Sequence, residues 1–287
     1  MEKRSVETLG YIKIAVAAII WGSVSLLVRA LDLPVLLMVF YRFLFAVVGA
    51  LSILVFSRAS FKFGTRKNLS LLILSGFFLT LNWVFFFYAL VLTTVANAVL
   101  VTYTAPILVA IFAPHFLKEK LEWNTVISLV LAMTGISFIL SPADLSMGKP
   151  LLGIIFAFGT SLTYASLVII AKELLPGLPV LIIIFYQSLI AMVALSPFSL
   201  LGGGPKGFEA WFLLIIMGIV HTLIAPYLYL SGLKVVKAQR AGILTYFDPL
   251  SATIFAALFL GEIPGFYTLL GGVLIIAAGY NIIRKGG

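Results

Sequence analysis

Ten separate apolar runs divide almost the whole chain. A helix that crosses a bilayer needs about 20 mostly apolar residues, and each run is close to that length. The composition agrees, since 62% of residues are hydrophobic and 10% are charged, against roughly half and a quarter in soluble domains. We therefore predict an all-α integral membrane protein with ten transmembrane helices. The predicted spans cover residues 11–29, 35–57, 69–91, 96–117, 123–141, 151–171, 179–200, 210–232, 240–260 and 266–283.

The basic residues predict the orientation. With the N-terminus inside, fifteen of the nineteen Lys and Arg residues fall on the cytoplasmic side, and only Arg29, Lys149 and Lys206 fall opposite. The positive-inside rule therefore places both termini in the cytoplasm, in a multi-pass protein of the cell (plasma or inner) membrane. The first span is too long for a signal-peptide core and is expected to be retained. Because the charges lie between apolar runs, the lipid bilayer is the expected partner, and nucleic acid is excluded.

Several kinds of chemistry lack the residues that they need. The chain has no cysteine, which excludes disulfides and thiolate metal sites. Its two histidines, His115 and His221, are not at ligand spacing, so no metal site is expected. The glycine run at 202–204 is followed by Pro205 rather than by the Lys and Ser/Thr of a phosphate-binding loop. We therefore expect no metal, no cofactor and no built-in ATPase.

The two halves of the chain resemble each other at an offset of about 143–145 residues. Segment 34–42 (PVLLMVFYR) matches segment 179–187 (PVLIIIFYQ), and the pair Tyr103 and Pro106 matches Tyr246 and Pro249. Each half has five predicted spans, so the second half enters the membrane inverted. Inverted repeats are typical of secondary transporters, whose substrate site lies near the bilayer midplane between the halves. The polar stretch 141–150 is the predicted linker.

These motifs are similar to those of a known family. Segment 18–22 (AIIWG), segment 40–43 (FYRF) and the Pro106…Glu119 and Pro249…Glu262 spacings resemble a drug/metabolite transporter with two EamA-like domains. The resemblance covers residues 10–284 and implies domains at 10–141 and 150–284. It also implies that ten helices move small metabolites, often exporting amino acids or related compounds. The second half departs from the pattern at Tyr164-Ala165 and at Gln187, where the first half has Trp21-Gly22 and Arg42.

Three titratable residues lie inside predicted spans, where a charge costs about 2.5–3.5 kcal/mol on insertion scales. Arg42 is about 12 Å deep at 1.5 Å per residue and is a candidate ligand for a substrate carboxylate, or else a structural cation. Asp248 precedes Pro249, which we expect to kink the helix and free the Thr245 carbonyl. Asp248 is a candidate proton carrier, amine ligand or partner of Arg42, and otherwise a cap for the kink. His221 is an alternative proton carrier or a packing residue.

Aromatic and amide side chains on the same spans are candidates to complete a substrate site, although each also fits a packing or interface role. The substrate-binding candidates beside Arg42 are Trp21, Asn82, Tyr88, Tyr103, Tyr164, Gln187 and Tyr246. Glu119 and Glu262 are read first as surface residues. Small residues such as Gly135 and Gly271 mark spans five and ten as packing helices that scaffold each half or form a homodimer contact.

The leading functional prediction is secondary transport of a small organic solute, an amino-acid-like metabolite moving outward by alternating access. Exchange of anionic metabolites, such as sugar phosphates or nucleotide sugars, is the alternative, but one intramembrane Arg provides little for a phosphate. Export of a cationic drug would use Asp248. An integral membrane enzyme would need a nucleophile–base or metal cluster near one surface, and none is visible. We therefore predict a transporter that is not an enzyme.

Overall fold

The computed structural model of the protein describes residues 2–93, 95–139, 150–199, 204–261 and 265–285. Within these ranges the chain is all α, and no strand is present. The helices are α1 (Glu2–Gly22), α2 (Val24–Ala30), α3 (Val35–Phe56), α4 (Arg66–Leu92), α5 (Val95–Thr102), α6 (Ala105–Phe116), α7 (Trp123–Ile139), α8 (Pro150–Leu174), α9 (Val180–Ser199), α10 (Gly207–Ile216), α11 (Ala225–Leu233), α12 (Ala238–Leu244), α13 (Phe247–Leu260) and α14 (Phe266–Lys285).

Eight helical stretches in the described ranges are long and apolar enough to cross a membrane, and two shorter apolar helices, Ala105–Phe116 and Trp123–Phe138, accompany them. The predicted fold class, an all-α protein with multiple membrane spans, is confirmed. The count of ten spans and the inverted repeat stay predictions. The predicted linker 141–150 lies outside the described residues except for its last residue, which begins α8, and Glu262 also lies outside them.

Two predicted spans, 96–117 and 240–260, are each divided into two helices. In the first half the break lies between α5 and α6, and in the second half it lies between α12 and α13. A proline follows each break, Pro106 in the first turn of α6 and Pro249 in that of α13. The first turn of a helix tolerates proline because its N–H groups have no intrahelical partner.

This arrangement corrects one expectation about Pro249. We expected Pro249 to kink the middle of a helix and to leave the carbonyl of Thr245 free. Instead the helix ends before Thr245, and the Thr245 carbonyl accepts the N–H of Asp248 at 3.0 Å. Asp248 therefore lies in the first turn of α13, directly after the interruption between two helices and not at a kink within one helix.

The first and eighth predicted spans are also irregular. Span 11–29 is interrupted at Ser23, between α1 and α2. Span 210–232 contains a π-helical segment, Met217–Ile224, between α10 and α11. Pro226 follows this segment and cannot donate to the carbonyl one α-turn earlier, which gives the wider turn a local cause. The Thr222 hydroxyl donates to the Met217 carbonyl at 2.9 Å and supports the wide turn.

Helices α7 and α14, the predicted packing spans, pack against each other within the chain. Gly135 lies so close to α14 that a Cβ atom there would come within 2.7 Å of the Gly271 carbonyl oxygen. Small residues allow this approach, as they do in many membrane helix pairs. The prediction of packing helices is therefore met by a contact inside one chain, and the homodimer stays a prediction.

Candidate functional site

Arg42 lies in the centre of the bundle with only 2% of its surface exposed. It projects from α3, and its Nε donates a 2.9 Å hydrogen bond to Oγ1 of Thr222 in the π-helical segment. This contact depends on Gly218, where a Cβ atom would lie 2.8 Å from the Arg42 carbonyl oxygen and 2.4 Å from the Phe45 side chain. The glycine allows the π-helical segment to pack directly on α3, which brings Thr222 beside the guanidinium.

The rest of the Arg42 guanidinium is only partly satisfied. Its Cζ lies 3.9 Å from the ring centroid of Trp83 on α4, a cation–π arrangement. Its Nη1 has no hydrogen-bond partner among the described residues. Because an unpaired buried donor is unfavourable, this nitrogen is available to an anionic group that enters the centre of the bundle.

His221 lies next to this cation and is 3% exposed. Its Nε2 is 2.9 Å from Oγ of Ser23, at the break between α1 and α2. Ser23 donates its single hydroxyl proton to the Ile20 carbonyl at 2.8 Å, so His221 Nε2 must be the donor in the contact with Ser23. The Nδ1 atom finds no partner among the described residues. The histidine therefore joins the π-helical segment to the start of the first half.

Asp248 is surrounded by tyrosines and is not fully buried. The Tyr103 hydroxyl lies within hydrogen-bonding reach of the Asp248 carboxylate. Tyr164 lies close enough to interact electrostatically with the same carboxylate. The ring of Tyr246 is 5.9 Å from that of Tyr103, and its hydroxyl donates to the Tyr103 carbonyl at 2.8 Å. The interruption between α5 and α6 and the interruption between α12 and α13 thus lie against each other beside the Asp248 carboxylate.

Trp21 completes the aromatic group. Its ring lies 5.4 Å from that of Tyr229, and its Nε1 donates to the His221 carbonyl at 3.1 Å. The buried hydroxyls of Tyr229 and Tyr164 lie near each other.

Arg42 and Asp248 do not pair with each other in this structure. No ion pair joins them among the side chains that the structure describes. Gly22 packs tightly on α13, where a Cβ atom would lie 2.5 Å from the Asp248 carbonyl oxygen. The candidate site therefore has a cationic pole at Arg42 and an acidic pole at Asp248, and the break between α1 and α2 contacts the residues of both.

Three sequence candidates lie apart from both poles. Asn82 donates to the Thr160 carbonyl at 2.9 Å and to Thr163 Oγ1 at 3.1 Å, which ties α4 to α8. Tyr88 is 46% exposed and stacks on Phe156 with ring centroids 5.4 Å apart. Gln187 lies partly exposed on α9, and no described contact joins it to either pole. The geometry brings together Arg42, His221, Trp21, Tyr103, Tyr164, Tyr246 and Asp248.

The sequence did not mark Ser23 and Thr222 as site residues. Thr222 directly follows the candidate His221, and Trp83 directly follows the candidate Asn82. Their partner, Arg42, is distant in sequence, and only packing shows the pairing. Glu119 was read as a surface residue, but its carboxylate accepts the N–H of Ala238 at 3.0 Å and caps α12.

The sequence matches the EamA-like transporter family over residues 8–141 and 151–284. An uncharacterized transporter of Archaeoglobus fulgidus is 32% identical over 269 residues, which cover 93% of this chain and 94% of that protein. The uncharacterized transporter YxxF of Bacillus subtilis is 30% identical over 285 residues, with 96% and 90% covered. An S-adenosylmethionine uptake transporter of Rickettsia felis is 28% identical over 212 residues, with 74% and 70% covered.

One solved crystal structure is similar along 98% of each chain, with a TM-score of 0.84 and 18% sequence identity. This likeness shows a shared fold. The family match covers nearly the entire chain. The relatives described above are named as transporters, and the alignments cover most of the length of each. The predictions that this protein is a transporter and is not an enzyme are therefore confirmed. The chain belongs to the EamA-like transporter family of the drug/metabolite transporter superfamily.

Proposed function

We propose that this protein is a secondary transporter in which two five-helix repeats, at residues 10–141 and 150–284, rock around a central site by alternating access. In this proposal the divided helix pairs α5–α6 and α12–α13 each count as one span, so the spans number ten. The contact between Tyr103 and Tyr246, 143 residues apart, supports the repeat because it joins the same position in the two halves.

The proposed substrates are amino acids or related metabolites that carry both a carboxylate and an amine. The observation that carries this proposal is the buried guanidinium of Arg42, whose Nη1 has no partner in the described part of the chain. An arginine nitrogen in a low-dielectric site forms a strong, charge-assisted hydrogen bond with a carboxylate. Trp83 holds the guanidinium from one face and leaves this nitrogen free to bind.

The acidic pole is the proposed site for the amine. Asp248 supplies the negative charge, and Tyr103, Tyr164 and Trp21 supply aromatic faces and hydroxyl groups around it. Aromatic faces attract organic cations. A zwitterion spanning the two poles would satisfy both charges at once, whereas a simple anion or a simple cation would satisfy only one.

The relatives are consistent with this charge pattern. S-adenosylmethionine, named for the Rickettsia relatives, is itself an amino acid with a carboxylate, an amine and a further cationic centre. Exchange of sugar phosphates or nucleotide sugars remains the second candidate. The single guanidinium at the cationic pole favours a carboxylate over a phosphate.

We propose outward transport across the cell membrane, with both termini in the cytoplasm. The charge distribution along the chain supports this orientation. A homodimer is the proposed assembly. Its interface would use surfaces other than the Gly135–Gly271 contact, which is occupied within one chain.

Counterflow into proteoliposomes tests the substrate class. The assay compares phenylalanine with phenethylamine, which lacks the carboxylate, and with phenylpropionate, which lacks the amine; S-adenosylmethionine and a sugar phosphate complete the panel. We expect the amino acids to exchange and the single-charge analogues to fail. Arg42→Gln should abolish amino-acid exchange while the purified protein keeps its gel-filtration profile. Normal exchange by Arg42→Gln, or a preference for the sugar phosphate, would contradict the proposal.

A further inference from the structure

A network of charged side chains closes one end of the bundle. Arg240 of α12 lies at its centre and contacts Glu122 through two nitrogens, Nε to Oε2 at 2.8 Å and Nη2 to Oε1 at 2.9 Å. Its Nη1 reaches Glu7 at 2.8 Å and the Tyr11 hydroxyl at 2.7 Å, both on α1. Lys237 also pairs with Glu122. One arginine therefore fixes α12 to two separate elements of the first half.

The segment between α6 and α7, residues 117–122, surrounds the beginning of α12. Glu119 accepts the N–H of Ala238, at the first position of that helix. Gln239 donates to the Lys120 carbonyl at 2.8 Å and accepts from the Glu122 N–H at 3.3 Å. These hydrogen bonds join the first half of the chain to the second, as do the ion pairs of Arg240.

The position of α12 gives the network its importance. All seven residues of α12 are buried, and the helix ends at Leu244, four residues before Asp248. The helix therefore fills the space between the charged network and the acidic pole of the candidate site. Within the described ranges, every ion pair lies at this end, which the charge distribution predicts to be cytoplasmic.

We propose that Arg240, Glu7, Tyr11 and Glu122 form the cytoplasmic gate of the transporter and hold it shut at rest. This inference rests on the proposed alternating-access function. When the halves rock so that the site opens toward the cytoplasm, α12 separates from α1 and from residues 117–122. The Arg240 contacts must break in that step. The network therefore biases the equilibrium between the two access states toward the state open on the opposite side.

Labelling of a single cysteine measures this bias independently of transport. The chain contains no cysteine, and Thr245 is buried immediately after α12, at the end of that helix nearer Asp248. In inside-out membrane vesicles, Thr245→Cys should react slowly with a membrane-impermeant thiol reagent. Adding Arg240→Gln should raise the rate about tenfold or more, because the variant loses the charge-assisted hydrogen bonds that hold α12 to α1 and to Glu122. Glu122→Gln should raise it in the same direction.

Lys120→Gln is the matched control. It removes one positive charge from the same end of the protein, but the exposed Lys120 side chain forms none of the ion pairs described above. Its labelling rate should equal that of the parent. Equal rates in Arg240→Gln, Glu122→Gln and the parent would overturn the proposal, as would an increase of the same size in Lys120→Gln. If Arg240→Gln fails gel filtration, Glu122→Gln decides the result.

A reversible cross-link provides the second test. Glu119→Cys and Ala238→Cys place two thiols across the gate, and a short reagent with a reducible link should join them. We expect counterflow to stop after cross-linking and to recover after reduction. Undiminished counterflow by the cross-linked protein would overturn the gate. A further outcome is that the protein exchanges no substrate while its Thr245→Cys labelling still responds to Arg240→Gln. That outcome would contradict the proposed function but would support the gate.

Discussion

The hydroxyl of Tyr246 donates a hydrogen bond to the main-chain carbonyl of Tyr103 over 2.8 Å. This carbonyl follows the end of α5, where the last C=O groups of a helix have no intrahelical partner. The break in the first half is thus stabilised by a side chain from the equivalent break in the second half. Because Asp248 lies next to both breaks, any movement of one half relative to the other changes the surroundings of its carboxylate.

Asp248→Asn should uncouple transport from a pH gradient while sparing exchange driven by substrate alone. The carboxylate is the titratable group at the junction of the two halves, and its surroundings change with the access state. Accumulation of substrate in proteoliposomes with an imposed pH gradient measures coupling, and counterflow without a gradient measures exchange. Full pH-driven accumulation by Asp248→Asn would shift the assignment to His221 or to a facilitator that moves no proton.

Gly22→Ala should destabilise the protein by about 1–3 kcal/mol, the usual range for overpacking a filled site. The new Cβ atom would lie 2.0 Å from Ser251 Oγ and 2.5 Å from the Asp248 carbonyl oxygen, so α1 and α13 must move apart. Thermal unfolding in detergent measures the loss. Gly265→Ala is the matched control, because a Cβ atom there meets nothing within 4 Å. Equal melting temperatures for the two variants would show that the Gly22 contact can relax freely.

Acid should remove the stability that Glu122 provides. Burial alone raises the pKa of Glu122, but the hydrogen bonds from Arg240 and Lys237 outweigh it and leave the pKa below its usual value. A carboxylate with a lowered pKa stabilises the folded state above its unfolded pKa, and that contribution is lost as the pH falls through the folded value. At neutral pH the free energy of unfolding of the wild type should therefore exceed that of Glu122→Gln by about 2 kcal/mol. The wild type should accordingly have the higher melting temperature.

The melting difference between wild type and Glu122→Gln should then shrink as the pH falls below the ordinary Glu range of about 4.3. Melting curves in detergent at a series of pH values measure this. Lys120→Gln, measured in parallel, should show a constant small difference from wild type. A wild-type advantage that persists unchanged at the lowest pH would contradict the role given to the ionised Glu122.

Cysteine labelling in sealed cells tests the orientation. Lys67 at the start of α4 is exposed, and the charge distribution places it in the cytoplasm. Lys67→Cys should resist a membrane-impermeant reagent in intact cells and react after the cells are opened. Lys206→Cys, on the predicted outer side and also exposed, should react in both conditions. Labelling of Lys67→Cys in intact cells, with labelling of Lys206→Cys only after the cells are opened, would show the opposite orientation in the membrane.

Hydropathy and charge were sufficient to predict the fold class and to select Arg42, His221 and Asp248, because apolar length and buried charge are read directly from residue type. The helix breaks were not predicted. The average hydropathy of a segment does not distinguish one continuous helix from two consecutive helices such as α12 and α13. The side chains lie in an apolar environment in either arrangement. The breaks depend on main-chain hydrogen bonds supplied from elsewhere, such as that from Tyr246 to Tyr103.

The partners of the charged residues were equally hidden. Arg42 meets Thr222 and Trp83, and Arg240 meets Glu7, Tyr11 and Glu122, through contacts between distant segments. From the sequence, Arg240 is one of the fifteen basic residues that the positive-inside rule places on the cytoplasmic side, and nothing in its neighbourhood marks it as part of a network. Which of several basic residues forms a buried network is decided by packing, and a single sequence contains no direct record of packing.

The π-helical segment Met217–Ile224 sets the rotational phase of the helix that contains it. An α-helix advances about 100° per residue, so one extra residue in a wide turn offsets every side chain after it by about that angle. The faces of α10 and α11 therefore point in directions that one uninterrupted α-helix would not allow, with Leu214 and Met217 packed near Met38, and Tyr229 against Trp21. Deleting one residue of this segment other than His221 or Thr222 would rotate Tyr229 away from Trp21 while every side chain of the site stays in the sequence.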